Sequence, residues 1–599
     1  MKPIIRLIAA FLLATLAGTA FAQYAGWQHS GSLYILTTPE GANLPAGAIE
    51  KDFPLLVRLH KDFFDFSQAK AKGEDVRFST GGGVPLPHQI EEWDAARGVA
   101  SIWVRVPEIK GNTQQEIKMH WGKSDAASES NGKAVFNESN GYLSVWHMNG
   151  PVKDEVGTLE SKDVGTTPTD GIIGTARHLA GRQGVFGGDK ISNYPTGALA
   201  HTTEAWFRAE KPNVTIVGWG NEGGGRGSKV RMQFRSPPHV HVDSDFSDIK
   251  GTSKLPVGEW IHVVHTYGGG PRRIYINGKM DGETTTKLDI KNPARLWLGG
   301  WYNNYDFVGD LDEVRISKVA RSAEWVRLQY ENQKPLQTLV GSIVQPGTTF
   351  TVSSSAATVL EGKSAVFSAQ AGGAQKVFWV LKSDGQEKVV SVDRFSYTFD
   401  AGRVIGDKAA TLVFKAVYAN GVKTKEIAIT VKEDVQEPVF SLKAPKSWDG
   451  RTTIEVVPQV ANLGAMQAKG AGDWKIDWKI ADLATIQEIV PGKLLLKRAQ
   501  NSGKLTVTAT VSNGGQPVTQ SVTIAVTEPK RDAWVARIPA KDEKPVDGQF
   551  YARDDKNEGT IFYNGTLNEA ADSVFLKVYV MLSLVAVCQS SHCSPANHE

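Results

Sequence analysis

The sequence predicts an all-β, multi-domain protein, and three observations support that prediction. Gly is abundant, with 60 among 599 residues, and Val, Thr and Trp recur in short runs, which is typical of strands and turns. Apolar residues often alternate with other residues at every second position, as Ile102, Val104 and Val106 do. Long helical periods are scarce. Because one hydrophobic core does not extend over a chain of this length, several domains are expected.

The most specific local pattern lies at residues 260–279. Ile261, Val263 and Tyr267 fall on one side of a strand, at the spacing of a half-buried face. A second strand follows and ends at Asn277-Gly278, a pair that tolerates the positive φ angles of a tight hairpin turn. The pattern therefore predicts two antiparallel strands.

Three phrases together resemble the laminin-G/concanavalin A-like jelly roll. They are Trp260-Ile-His-Val with Tyr275-Ile-Asn-Gly-Lys, Thr203-Glu-Ala-Trp-Phe207, and Phe307-Val-Gly-Asp-Leu-Asp-Glu-Val-Arg-Ile316. The resemblance implies such a domain over residues 138–340. It also implies a protein that binds a ligand, most often a glycan, and only sometimes cleaves it.

The segment 23–137 resembles a bacterial domain of unknown function that commonly precedes a laminin-G-like domain. The resemblance rests on Phe53-Pro-Leu-Leu-Val-Arg-Leu59, Asp75-Val-Arg-Phe78 and Leu86-Pro-His-Gln-Ile-Glu91. Strands are expected near 55–59, 76–79, 101–106 and 116–121. Relatives often occur near ExbB/TolQ-type proton-channel subunits, which implies a setting in the cell envelope with envelope proteins as partners.

Beyond the jelly roll, Ser322 is expected to cap a short helix through Gln329, and residues 335–346 are expected to form a linker. Two immunoglobulin-like β-sandwich modules are predicted at 346–433 and 437–528, each with a central Trp and no Cys pair. An incomplete β-module follows at 529–580. The tail at 581–599 is interpreted as the product of a frameshift or truncation, with a short membrane anchor or a Cys/His zinc site as alternatives.

The first residues predict export. Lys2 and Arg6 precede an apolar run at 7–16 and a small-x-small site at 20–22, the pattern of a signal peptide cleaved after Ala22. A retained N-terminal anchor is the alternative. The expected location is the periplasm or the cell surface, with no transmembrane span in the mature chain. The formal charge of +3 gives no argument for nucleic acid, and both Cys lie in the tail, so the folded domains are expected to use no disulfides.

Candidate ligand-binding residues lie in loops of the jelly roll. A sugar site needs an aromatic ring for the C–H face of the pyranose and polar groups for its hydroxyls. One loop supplies both kinds of group, and a Gly-rich loop beside Trp219 is expected to flank the same face. The candidates are Trp301, Tyr302, Asn303, Asn304, Tyr305, Asp306 and Trp219. The alternative is that the aromatic residues only pack against the sheet.

Calcium is the cofactor that the resemblance implies, and Asp310 and Asp312 are the candidate ligands because they share one strand face. The alternative is that neighbouring N–H groups satisfy these carboxylates. A second acidic loop contains Asp243, Asp245 and Asp248, and His239 with His241 could form half of a metal site. The plainer interpretation of the two histidines is an exposed strand face.

The expected function is non-catalytic binding of a glycan or glycoprotein. The jelly roll lacks the Glu-x-Asp-x-Glu strand motif of retaining glycosidases, and Glu313 is expected on the opposite face of the strand from Asp312. A Gly-x-Ser-x-Gly nucleophile motif is also absent. A scaffold role in an envelope complex and a polysaccharide-degrading enzyme are the alternatives.

Overall fold

The computed structural model describes residues 23–157, 159–300, 305–528, 549–553 and 560–564. The described residues divide into two compact units: those up to Thr358, with Ala365–Phe399 and Ala409–Thr430, form the first, and Val359–Ser364, Asp400–Lys408 and those from Val431 onward form the second. The expected signal peptide, the tail and most of the expected incomplete module lie outside the described residues. Within the described residues, no helix is long and apolar enough to cross a membrane.

The N-terminal domain is a β-sandwich of seven strands. They are β1 (His29–Leu36), β2 (Ile49–His60), β3 (Arg77–Thr80), β4 (Pro85–Leu86), β5 (His88–Asp94), β6 (Val99–Lys110) and β7 (Gln114–Trp121). One sheet has the order β1-β7-β3-β4 and the other β2-β6-β5. Ile102, Val104 and Val106 of β6 are buried in this domain's core as predicted, but the neighbouring Ser101 and Trp103 are buried too, so this part of β6 is covered on both faces. A short helix α1 (Gly132–Val135) follows, with Asn131 as its N-cap.

The jelly roll contains the next fifteen strands. They are β8 (Tyr142–Trp146), β9 (Lys162–Val164), β10 (Thr167–Asp170), β11 (Thr175–Ala180), β12 (Gly184–Ile191), β13 (His201–Ala209), β14 (Val214–Gly220), β15 (Lys229–Arg235), β16 (His239–Asp243), β17 (Ile249–Lys250), β18 (Ile261–Tyr267), β19 (Arg272–Ile276), β20 (Lys279–Thr284), β21 (Ala294–Leu298) and β22 (Val308–Ser317).

These strands form two sheets that enclose one core. The eight-stranded sheet has the order β10-β11-β22-β13-β18-β19-β20, with β8 also paired to β22, and the seven-stranded sheet has the order β17-β16-β15-β14-β21-β12-β9. Ile261, Val263 and Tyr267 of the predicted hairpin all lie in the core. Asn277 and Gly278 form the turn between β19 and β20, and both have positive φ, as that tight turn requires.

Helix α2 (Ala323–Gln333) follows the jelly roll and begins at the predicted cap. The Ser322 hydroxyl accepts a hydrogen bond from the Trp325 N–H. Trp325 and Leu328 are buried in the core of the N-terminal domain, while the Gln333 side chain accepts a bond from Trp206 of β13. The helix therefore packs between the two domains.

The segment 335–346, expected to form a linker, contains no helix or strand, but unlike a solvated linker it packs against the N-terminal domain. The Leu339 carbonyl accepts a hydrogen bond from the Leu36 N–H, and the Val344 N–H donates to the Ser32 carbonyl. Leu339, Val340 and Ile343 are buried in the core of the N-terminal domain. Apolar residues within a polar run explain the difference, because each gains free energy by leaving water.

Two further groups of strands cover the regions expected to hold immunoglobulin-like modules. The first contains β23 (Phe350–Val352), β24 (Ala356–Leu360), β25 (Ser364–Ala371), β26 (Lys376–Ser383), β27 (Gln386–Val392), β28 (Ser396–Asp400), β29 (Lys408–Tyr418) and β30 (Gly421–Lys432). Its sheets have the orders β23-β25-β28 and β24-β30-β29-β26-β27. Trp379 is fully buried there.

The second group contains β31 (Phe440–Lys443), β32 (Ser447–Trp448), β33 (Ile454–Val460), helix α3 (Leu463–Ala468), β34 (Lys475–Ala481), β35 (Thr485–Val490), β36 (Lys493–Ala499), β37 (Gly503–Ser512) and β38 (Val518–Val526). Its sheets have the orders β31-β33-β36-β35 and β32-β38-β37-β34. Two last strands, β39 (Gln549–Arg553) and β40 (Thr560–Asn564), pair with each other.

Candidate functional site: the outer face of the seven-stranded sheet

The seven-stranded sheet of the jelly roll has one face in the core and one face turned outward. Strand β15 shows the division clearly, because Val230, Met232 and Phe234 are core residues. Their neighbours Lys229, Arg231, Gln233 and Arg235 therefore project to the other side, where Lys229, Arg231 and Gln233 are buried and Arg235 is partly exposed. We call that side the outer face. It combines charged, amide and aromatic side chains, whereas the inner side is apolar.

A row of directly opposed residues crosses the outer face. Phe186 on β12 pairs with Trp297 on β21, which pairs with Gly218 on β14. Gly218 in turn pairs with Arg231 on β15, and Arg231 pairs with Asp243 on β16. Gly218 contributes no side chain, so the row has an aromatic half and a charged half on either side of it.

The aromatic half is a pair of partly exposed rings. The ring centroids of Phe186 and Trp297 are 5.4 Å apart at an interplanar angle of 50°. The guanidinium of Arg295 lies 5.8 Å from the Phe186 ring and 5.7 Å from the Trp297 ring, within cation–π range. Arg295 also forms an ion pair with Asp189 at 3.4 Å. The two rings are therefore held side by side on rigid strands.

The charged half is a network of two cations and three carboxylates. The Lys229 side chain is 2% exposed, and its Nζ lies 2.7 Å from Glu222 and 2.8 Å from Asp245. Arg231 forms a close ion pair with Asp243. Burial alone would raise the pKa of Asp245, but hydrogen bonds from Lys229 and Ser228 hold that pKa below its ordinary value. Asp245 therefore favours the ionised form.

Tyr305 and Asp306, two of the predicted ligand residues, lie near this face. The Tyr305 carbonyl accepts a 2.6 Å bond from the Thr215 N–H on β14. The Tyr305 side chain is 39% exposed, and the Arg235 guanidinium lies 4.8 Å from its ring centroid. Asp306 lies 3.9 Å from Arg182. Trp301, Tyr302, Asn303 and Asn304 lie outside the described residues.

Trp219 is not available to a ligand, which corrects the prediction for this residue. It lies in the jelly-roll core and is 0% exposed. Its Nε1 donates to the Thr203 hydroxyl at 2.9 Å, and its ring packs against Tyr194 and His201. Trp219 points inward because it alternates with Gly218 on β14.

Asp310 and Asp312, the candidate calcium ligands, are both engaged by groups of the protein. Asp310 accepts from His178 at 2.9 Å and from Arg208 at 2.6 Å. Asp312 Oδ2 accepts from the backbone N–H groups of Ile172 and Ile173, and burial raises the pKa of Asp312 well above its usual range. Asp312 therefore matches the alternative of a carboxylate satisfied by neighbouring N–H groups, whereas Asp310 is held by two side chains. Calcium itself remains a prediction.

The expected alternation of Asp312 and Glu313 was wrong, because β22 contains a bulge. Between the pairs Trp206↔Asp312 and Glu204↔Arg315, strand β22 has one residue more than β13. Glu313 has a positive φ of 47°, as occurs in β-bulges. Leu311 and Val314 are core residues, so Asp312 and Glu313 between them both project away from the core.

The other predicted metal candidates are also engaged by groups of the protein. His241 Nε2 lies 3.2 Å from Asp248, and hydrogen bonds from His241 and the Ser244 N–H outweigh burial and lower the pKa of Asp248. His239 contacts the Pro237 carbonyl at 2.6 Å. Among the residues that the structure describes, the only group of three or more side chains spaced for a metal ion is Glu91, His147 and Glu313.

Sequence reasoning missed Phe186, Trp297 and the basic residues of β15. The signal was present, since Lys229-Val-Arg-Met-Gln-Phe-Arg235 and Arg295-Leu-Trp-Leu298 alternate between apolar and other residues. The alternation of apolar and polar residues indicates which residues share a face of one strand, but it does not indicate which strands are neighbours in the sheet. The row exists because β12, β21, β14 and β15 are adjacent in space, although residues 236–293 separate β15 from β21 along the chain.

The two packed sheets form a concanavalin A-like jelly roll that follows a smaller β-domain in the chain. Two family models match these two domains. Residues 187–327 match the model described as "Concanavalin A-like lectin/glucanases superfamily". Residues 72–142 match "Domain of unknown function (DUF2341)". The order of the two domains is the one that the sequence predicted.

No curated protein matches the chain. Among solved structures, one similar chain is domain 4 of AbnA, a GH43 extracellular arabinanase from Geobacillus stearothermophilus, in complex with arabinotriose. The two sequences are 20% identical, and the TM-score is 0.27. The match covers 31% of this chain and 97% of the AbnA domain. A SAP-like pentraxin from Limulus polyphemus is 17% identical, with coverage of 25% and 78% and a TM-score of 0.21. At these TM-scores the likeness supports no statement about function.

Proposed function

We propose that this protein binds a carbohydrate on the outer face of the seven-stranded sheet and does not cleave it. The observation that supports the proposal most directly is the pair of rings at Phe186 and Trp297. Aromatic rings cover the apolar C–H faces of sugar rings, while nearby charged and amide groups bond their hydroxyls. Arg231 and Asp243 lie in the same row, across Gly218.

The charges of the outer face favour binding over catalysis. Glycoside hydrolysis needs one carboxyl group that is protonated near neutral pH and a second one that is ionised. Glu222, Asp243 and Asp245 all lie within ion-pair distance of Lys229, and the pKa of Asp245 is lowered rather than raised. Asp245 therefore suits hydrogen bonding to a hydroxyl better than proton donation.

The proposed setting is outside the cytoplasm, in the periplasm or at the cell surface. This part of the proposal rests on the signal-peptide pattern of residues 1–22. Glycans and glycoproteins are abundant there, and the immunoglobulin-like modules would serve as spacers.

A glycan array probed with the chain lacking residues 1–22, with and without calcium, tests the proposal. We expect saturable binding to a defined set of polysaccharides and no release of reducing sugar. Release of reducing sugar would favour the enzyme alternative. A specific envelope protein captured in place of any glycan would favour the scaffold alternative. Either result would overturn non-catalytic glycan binding.

A further inference from the structure

A buried cluster of ionisable side chains lies where the N-terminal domain meets the jelly roll. Glu91 comes from β5, His147 follows β8, and Glu313 occupies the bulge of β22. The side chains of all three are at most 1% exposed. Each offers one ligand atom, and the three atoms lie within 4.8 Å of one another. Since the residues belong to two domains, any ion held here would join them.

The carboxylate of Glu91 is incompletely satisfied. Its Oε2 accepts from the indole N–H of Trp103 and lies 3.4 Å from His147 Nδ1. Its Oε1 is buried without a hydrogen-bond partner. In the described part of the chain no Lys or Arg lies within ion-pair distance of Glu91. A buried carboxylate with an unpaired oxygen is costly unless a cation or a proton reaches it.

His147 is oriented as a metal-ligating histidine usually is. Its Nδ1 faces the cluster, 2.7 Å from Glu313 Oε1, and its Nε2 lies 3.2 Å from the side-chain oxygen of Gln89. Metal-ligating histidines commonly donate their second ring N–H to an oxygen of this kind, which fixes the ring. Trp103 stacks on the His147 ring with centroids 5.8 Å apart.

The other oxygen of Glu313 is occupied by Arg315. That guanidinium forms a close ion pair with Glu313 Oε2, donates to Gln329 at 2.7 Å and lies over the Trp103 ring at 4.6 Å. Glu313 therefore presents a single oxygen, Oε1, to His147. Aromatic and amide groups close the surroundings, so the site is shielded from bulk water.

We propose that Glu91, His147 and Glu313 bind one divalent transition-metal ion of the zinc class, which fastens the N-terminal domain to the jelly roll. One imidazole nitrogen and carboxylate oxygens form a donor set that zinc accepts, whereas calcium prefers oxygen donors alone. The free Oε1 of Glu91 is available as a further donor. The proposal is independent of carbohydrate binding, and either can fail without the other.

Zinc alone is the probe for the test. The whole chain is treated with a chelator, its fold is checked by circular dichroism, and Zn²⁺ is titrated by calorimetry while the metal content is measured by mass spectrometry. We expect one Zn²⁺ per chain, a raised melting temperature, and slower hydrogen exchange at residues 88–94 and 142–147 when the ion is bound. A folded, chelated chain that takes up no Zn²⁺ at one equivalent would overturn the proposal.

Variants locate the ion. Glu91→Gln keeps the size of the side chain and an acceptor for Trp103, and we expect it to weaken Zn²⁺ binding at least about tenfold. His147→Gln should abolish binding, and if that variant does not fold, Glu91→Gln decides. His241→Gln on the outer face is the matched control and should bind like the wild type. Loss of the ion in His241→Gln, or unchanged affinity in Glu91→Gln, would contradict the assignment.

Discussion

Asn332 of helix α2 binds both backbone groups of Leu56, which lies 276 residues earlier in the chain. The Leu56 N–H donates to Asn332 Oδ1 at 2.6 Å, and the Asn332 amide donates to the Leu56 carbonyl at 2.9 Å. Leu56 lies on β2 of the N-terminal domain, and α2 follows the last strand of the jelly roll. Asn332 therefore replaces a strand neighbour for β2 and links the helix to the N-terminal domain.

Asn332→Ala should destabilise this contact. Both Leu56 groups would remain buried without their partners, and each unpaired group costs about 1–3 kcal/mol. We expect faster hydrogen exchange at residues 53–59 and a lower melting temperature. Arg327→Ala, on a partly exposed position of the same helix, is the control and should change neither. Unchanged exchange at residues 53–59 in Asn332→Ala would show that the helix does not support β2.

Trp297→Ala should lower the affinity for any glycan that the protein binds, at least about tenfold, because loss of a stacked ring removes about 1–3 kcal/mol of contact. Phe186→Ala should have a smaller effect in the same direction. The control is Met280→Ala, since Met280 is 59% exposed and lies on β20 of the eight-stranded sheet. Calorimetric titration with a glycan found on the array measures the effect. Equal affinities for Trp297→Ala and Met280→Ala would exclude the ring pair as the site.

Tyr305→Ala tests the predicted aromatic ligand residue that lies beside the outer face in the described part of the chain. Its ring lies beside Arg235 and Arg231 on the outer face, so its removal should weaken glycan binding and leave the fold intact. Tyr305→Phe separates two roles: it should bind normally if the ring acts by stacking and weakly if the hydroxyl donates to the sugar. Wild-type affinity in Tyr305→Ala would place the site away from this loop.

Lys229→Met should destabilise the outer face. Lys229 is almost fully buried, and its removal leaves Glu222, Asp243 and Asp245 with Arg231 as the remaining cation of the network. Breaking a buried ion pair by removing one partner costs about 3 kcal/mol. Faster hydrogen exchange at residues 214–243 would report the loss. The exposed Lys250→Met on β17 should have little effect, and equal exchange in both variants would contradict the role assigned to Lys229.

The local patterns predicted most of the fold, because alternation and turn chemistry are properties of neighbouring residues. Asn277-Gly278 correctly predicted the hairpin turn, and Ser322 correctly predicted where α2 begins. The Glu313 bulge was not predictable in this way, since one extra residue on β22 is defined only against its partner β13. The same reason explains the row from Phe186 to Asp243, which depends on which strands are adjacent.

Trp219 shows a second reason why the sequence alone did not identify the site residues. A Trp beside a Gly-rich loop suits a ligand site and a core position equally well in the sequence. Only the pairing of β14 with β15 and β21 shows that Gly218, and not Trp219, lies on the outer face. The buried cluster of Glu91, His147 and Glu313 was likewise not visible, because its members are 56 and 166 residues apart in sequence order and meet only through the docking of two domains.

Acid should destabilise the jelly roll through His201. Burial is the main cause that lowers the pKa of this imidazole from 6.5 to about 3, and the nearby Arg272 lowers it further. Its ring packs against Trp219, His265 and Tyr267, and burial with Arg272 also lowers the pKa of His265. Both imidazoles therefore stay neutral in the folded protein at pH values where an unfolded chain would protonate them.

The sign of the effect follows from proton uptake. Between pH 3 and 6.5 the unfolded state binds more protons at His201 than the folded state does, so stability falls as the pH falls through this window and is unaffected above it. For His201 alone the loss of folding free energy at pH 5 relative to pH 8 is about 2 kcal/mol.

His201→Phe removes the titrating group while keeping a ring beside Trp219, so its melting temperature should fall less between pH 8 and pH 5 than that of the wild type. His239→Phe, on the outer face, is the control and should follow the wild-type curve. If His201→Phe and the wild type lose the same stability over this window, His201 does not contribute to acid sensitivity.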